Sequence, residues 1–93
     1  MAIDPLEIAR LDALLEAVGA EAEWTMLDAA LARLLPGIAR RHCDASDVLE
    51  DPFRSHASAD FHLLDTSGHC IRVTAEPQEA TALLIAAKMA QVA

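Results

Sequence analysis

The only two cysteines of this chain each follow a histidine, at His42-Cys43 and His69-Cys70, and a thiol beside an imidazole is a pairing with chemistry in it. Thiolate and neutral imidazole are the ligands that Zn or Cu(I) prefer. The same groups could form a redox pair, or a nucleophile with its base. The plainer alternative is packing, since free cysteine is among the most buried residue types and behaves as a small hydrophobe. Neither cysteine has a second ligand at the close spacing of a CxxC pair, so the motif alone leaves metal, redox and packing readings open.

Which side chains meet depends on the strands that carry them. Asp60 to Asp65 and His69 to Thr74 read as strands separated by Thr66-Ser67-Gly68. A three-residue hairpin loop is commonly a type I turn closed by a residue in the left-handed region, and Gly68 stands where that residue is needed. This turn pairs Asp65 with His69, Leu64 with Cys70, Leu63 with Ile71, His62 with Arg72 and Phe61 with Val73. One face then carries Phe61, Leu63, Ile71 and Val73, and the other His62, Leu64, Cys70 and Arg72. Neighbours along a strand point to opposite faces, so His69 and Cys70 cannot serve one site. His62 is instead diagonal to Cys70, at roughly 7 Å between β carbons. Cys43 joins them if Ile38 to Cys43 forms a third strand beside the hairpin. The candidate metal ligands are therefore Cys43, Cys70 and His62, for zinc or copper, with Asp44, His42 or His69 nearby. Catalysis by Cys70 with His62 as base lacks an elbow, a glycine-rich loop or an oxyanion-hole motif. The acids Asp44, Asp47, Glu50 and Asp51 lack the alternating spacing and central glycine of a calcium loop and read as solvated.

Helices should frame this sheet. Asp4 as N-cap, Pro5 at the first helical position and Glu7 three residues after the cap predict a helix to about Val18, with Gly19 as its left-handed cap. Its apolar stripe is Leu11, Leu14, Leu15 and Val18. Trp24, Leu27, Leu31, Leu34 and Leu35 repeat at helical spacing until Pro36, which predicts a second helix and an αα-hairpin. After Pro36-Gly37 come the strand-like Ile38 to Cys43 and an irregular stretch to about Ala59, in which Asp44 or Ser46 could cap a single turn. Pro77 and Glu79 open what reads as a last helix, nearly apolar all round, which must be covered by the rest of the fold or by a second copy. Met26 and Met89 read as core or interface filler.

Composition bounds the rest. The 93 residues, 54% hydrophobic, suit one domain spanning 1–93. Fifteen Asp+Glu against seven Lys+Arg give a formal charge of -8, which repels phosphate backbones and anionic lipids and argues against nucleic acid or membrane as partner. Acid is concentrated in the first third, where a partner with a basic patch would fit. No basic leader precedes an apolar core, and the apolar run Ala80 to Ala87 is far short of the roughly 20 residues that span a bilayer, so the expected location is the cytoplasm, with reduced thiols.

From Leu35 to Thr81 the wording "LLPGI", "RHCDASDVLEDPF" and "DFHLLDTSGHCIRVTAEPQEAT" resembles a family of short bacterial proteins of nitrogen-fixation gene neighbourhoods. "CDASD" and "SGHC" are its most specific parts, and Arg40 stands where the family pattern has an apolar strand residue. The resemblance implies an accessory role beside a metalloenzyme, which favours the metal reading slightly, and it carries over no specific activity. The expectation is thus an α+β fold with an N-terminal αα-hairpin, a small antiparallel sheet of two or three strands and a C-terminal helix packed on the sheet. Its expected role is a small cytoplasmic, non-enzymatic accessory or protein-interaction module without cofactor, homodimeric through helical surface. The alternative is a metal-binding or thiol-redox protein using Cys43, Cys70 and His62.

Overall fold

A computed structural model describes residues 2–88. Along the chain come α1 (Pro5–Ala17), α2 (Trp24–Leu34), β1 (Ala39–Asp44), a 3-10 turn (Ala45–Asp47), β2 (Arg54–Ser55), β3 (Ala59–Asp65), β4 (Arg72–Thr74) and β5 (Ala82–Ala87). The start of α1 follows its local signals: the Asp4 carboxylate accepts from the Leu6 and Glu7 N–H groups, and the Glu7 carboxylate accepts from the Asp4 N–H at 3.0 Å. Its end does not. Val18 closes the helix in an extended conformation, and Gly19 has no positive φ.

The sheet runs in the order β1-β5-β3-β2, with β4 also paired to β3. β5 lies parallel to β1 and antiparallel to β3. On one face Phe61 and Leu63 of β3 and Leu83 and Ile85 of β5 meet Leu11 of α1 and Leu27 and Leu31 of α2. Each such side chain contributes about 1.5–3 kcal/mol relative to exposure, so this layer holds the domain together. The other face carries Leu64, Ala82 and Leu84, against which Cys43, Val48 and Val73 pack.

The α+β class stands, but the expected architecture of αα-hairpin, small antiparallel sheet and C-terminal helix does not: the sheet is five-stranded and mixed. The largest correction concerns the supposed C-terminal helix, whose described part forms strand β5. Helical bonding lasts only one turn after Pro77, where the Glu79 and Ala80 N–H groups donate to the carbonyls of Glu76 and Pro77. Thr81 then donates to the Leu64 carbonyl and starts the strand. A central strand covered on both faces is apolar at every position, and that pattern cannot be told from a buried helix by periodicity. Met89 lies outside the described residues, and Met26 is half exposed rather than core.

The second correction is the hairpin register. Asp65 pairs with Arg72, Leu64 with Val73 and Leu63 with Thr74, an offset of three residues from the expected ladder. The loop is Thr66 to Ile71, twice the expected length. An odd offset turns every side chain of the second strand over, so Phe61 and Val73 face opposite sides of the sheet. The loop is built on Asp65, whose carboxylate accepts from the Ser67 N–H and hydroxyl and from Arg72. Thr66 adds a backbone N–H donated to the Thr81 hydroxyl at 2.8 Å.

Gly68 has no positive φ, and a β carbon there would meet nothing closer than the Cys70 carbonyl at 3.9 Å. Gly68→Ala should therefore be neutral or stabilising by up to about 1 kcal/mol, by restricting the unfolded chain. Thermal unfolding checks this; a turn that required glycine would lose stability instead.

Candidate functional site

β1 is an outer strand, and its two faces differ. Arg40, His42 and Asp44 share the helix side with Leu83 and Ile85, whereas Ala39, Arg41 and Cys43 lie on the opposite side with Ala82, Leu84 and Ala86. Asp28 of α2 binds the helix side down: its carboxylate accepts from Arg40 Nε at 2.6 Å and lies 3.1 Å from His42 Nε2. The Trp24 ring meets the His42 ring at 5.3 Å between centroids. Burial of the Asp28 carboxyl works against its charge, but hydrogen bonds from Arg40 and His42 win and hold it below the usual carboxylate range. Arg41, exposed on the other side, has no carboxylate within ion-pairing distance among the described residues, unlike Arg40, Arg54 and Arg72. Nor does any described residue outside the sheet take a backbone hydrogen bond from β1.

The described structure does not bring the two thiols together. The row Ala39, Ala82, Leu64 crosses one end of the sheet, and the row Cys43, Ala86, Asp60 crosses the other. Cys70 belongs to the loop that leaves β3 beyond Leu64, so the two cysteines sit at opposite ends, separated by four strand residues, roughly 13 Å. Parallel pairing of β1 with β5 is the cause. Cys43 and His62 do share a face, but two strand spacings separate them, roughly 10 Å sideways. No group of three metal-ligating side chains converges among the described residues. Cys43 is half-buried, and its thiol is pushed up by burial and by the nearby carboxylates Asp47 and Asp44. Cys70 is exposed. His69 is exposed in the loop, and the Asp44 carboxylate, which acts on Cys43 only through its charge, caps the 3-10 turn through the Ser46 N–H at 2.9 Å.

His62 is the unusual residue. It is 2% exposed, and Nδ1 has no hydrogen-bond partner among the described residues. Burial pushes its pKa below the ordinary histidine value, against the attraction of Asp60 and Glu50. The ring is therefore uncharged at neutral pH.

A cleft of about 950 Å³ opens between the start of α2 and the 3-10 turn, lined by Trp24, Thr25, Ser46, Ser58 and Lys88 among others. Its one ammonium is already committed, with Lys88 Nζ 3.2 Å from Asp60 and donating to Ser55 Oγ and the His56 carbonyl. No protein-family model, no curated protein and no solved structure matches this chain. Among the described residues no helix is long and apolar enough to cross a membrane.

Sequence reasoning named Cys43 and His62 but missed the outer edge of β1 as a surface. The signal was present in three consecutive basic or titratable residues, Arg40, Arg41 and His42, inside a strand pattern. Two outcomes check this geometry. Iodoacetamide at pH 8 should label Cys70 first and leave a singly labelled species before Cys43 reacts, as read by peptide mass spectrometry. Asp28→Asn should cost about 1–2 kcal/mol at pH 7 in urea unfolding. Because the folded-state pKa of Asp28 is lowered, that difference is fully present above the ordinary carboxylate value and should be lost as pH falls through the lowered folded-state value.

Proposed function

We propose that this chain is a non-enzymatic protein-interaction module that receives an extended, acid-bearing segment of a partner along the outer edge of β1. The observation that carries the reading is the combination of six residues of edge strand with an exposed, unpaired arginine at its centre. Strand addition draws affinity from backbone hydrogen bonds and specificity from alternate side chains. Charged residues on an edge also block pairing with the wrong strand. In a second copy paired antiparallel about Arg41, the two guanidiniums would stand opposite each other, whereas an acidic residue at that place forms a favourable cross-strand pair.

The acid-rich first third offers less to a basic partner than its composition suggests. Asp12 is spent on Arg54 and Asp28 on Arg40 and His42, within the molecule. A cytoplasmic setting belongs to the same proposal and rests on two thiols that remain unbridged. An accessory role beside a metalloenzyme would come from the resemblance over 35–81 alone.

The test uses an eight-residue peptide alternating Val and Glu, titrated into the isotopically labelled chain. Amide signals of Ala39 to Asp44 should shift and gain protection, and Arg41→Glu should weaken binding about tenfold or more. Equal titration of both chains, or shifts confined to other elements, would refute the acidic partner. Light scattering that finds two copies already joined through β1 would replace it with self-association.

A further inference from the structure

β1 and β2 lie at opposite sides of the sheet, so the chain between them has to cross a face. It crosses the face without helices: Val48 packs with Leu64, Ala82 and Leu84 there, and the 3-10 turn lies against β5. His62 sits on that same face, level with Leu84 and two residues from Leu64. The strip beside it is interrupted, since β2 pairs with Phe61 and Asp60 and β4 begins only at Leu63. The crossing segment therefore completes the cover over the ring.

That segment is weakly held. The Val48 N–H donates to the Ala45 carbonyl and the Phe53 N–H to the Phe61 carbonyl, and among the described residues nothing bonds 49–52 between them. Leu49 is 94% exposed. Its grip on this face is the apolar contact of Val48, while at its far end Phe53 is anchored in the helix-side core; the same face carries the one buried side-chain nitrogen without a partner among the described residues.

We propose that segment 45–52 is a latch released by acid: proton uptake by the buried His62 imidazole drives the ring from under the segment and uncovers the apolar strip Leu64, Ala82 and Leu84. Neither nitrogen of the uncharged ring is hydrogen-bonded to a described side chain or carbonyl, and an imidazolium in the same place has two donors and a charge to satisfy. The carboxylates that face it are Asp60, two residues away on β3, and Glu50 on the segment itself, with Asp47 further along. Lys88 is engaged by Asp60, and Ser55 of β2 donates to the same carboxylate at 2.6 Å. Across β5, Arg41 lies level with Leu84 and repels a cation, and on β4 the Arg72 charge is taken up by Asp65. Leaving the interior toward Glu50 and water thus relieves the proton-bearing ring, while staying does not.

The sign follows from linkage. The opened state has the ordinary histidine pKa, about 6.5, and the closed state a lower one, so below that ordinary value opening takes up a proton and becomes easier as pH falls. One proton corresponds to at most about tenfold per pH unit.

Amide hydrogen exchange of the full chain, corrected for the pH dependence of the chemical step, tests this between pH 7.5 and 5. Protection at Val48 should fall by up to about tenfold per pH unit below about 6.5, with a parallel rise in fluorescence of an added hydrophobic dye. β5 amides should keep their protection. In His62→Gln and His62→Leu, either of which suffices if the other fails to fold, the fall should disappear. Constant protection in the wild-type chain, an equal fall in the folded variants, or a fall shared by Ala82–Ala87 would overturn the latch.

Discussion

The fold rests on the insertion of one apolar strand between two others. β5 is bonded along both edges, to β1 in parallel and to β3 in antiparallel register, and five of its six residues are buried. Every backbone N–H and C=O of a strand so placed finds a partner in the sheet, which is what allows the segment to leave water altogether. Burial on both faces then demands two covers. The helices supply one with Leu11, Leu27 and Leu31, and the crossing segment supplies a smaller one with Val48.

Ion pairs orient these layers more than they hold them. Arg54 of β2 grips Asp12 of α1 through Nε at 2.5 Å and Nη2 at 3.1 Å, with its guanidinium 4.2 Å above the Phe53 ring. Asp28 does the same between α2 and β1. Partly exposed pairs of this kind are worth little individually, typically up to about 1 kcal/mol. Their geometric effect is larger: each helix is attached to a strand at one side of the sheet, and three of the six arginines, Arg40, Arg54 and Arg72, are paired internally. Arg41 escapes only because the strand's alternation turns it away from α2. The basic character of the β1 edge is thus a by-product of how α2 is anchored.

The two His-Cys steps are held apart for a related reason. A parallel partner strand sends Cys43 to the end of the sheet opposite the β3–β4 loop, and the longer loop leaves Cys70 in solvent. What remains on that face, among the described residues, is a single imidazole without a bond at Nδ1, next to aliphatic side chains. Such a group is inexpensive while neutral and costly once charged, which makes the cover above it sensitive to protons.

Local signals in the sequence settled what depends on local bonding. Asp4, Pro5 and Glu7 define a helix start because the cap is closed within four residues, and the apolar spacing in α2 places Leu27 and Leu31 on its buried side. Alternation along Asp60 to Asp65 was enough to assign a strand. The state of Ala82–Ala87 was not legible, since a continuous run of alanine, leucine and isoleucine satisfies a helix covered all round and a strand covered on both faces equally well. Tertiary structure chose the strand because β1 and β3 offer two edges to be bonded at once. It also set the β3–β4 register, where Asp65, Thr66 and Thr81 stabilise a six-residue loop that a Gly68 turn would have excluded. Short-range hydrogen bonds are written in neighbouring residues, whereas strand order and register are decided by which distant edges are left to pair.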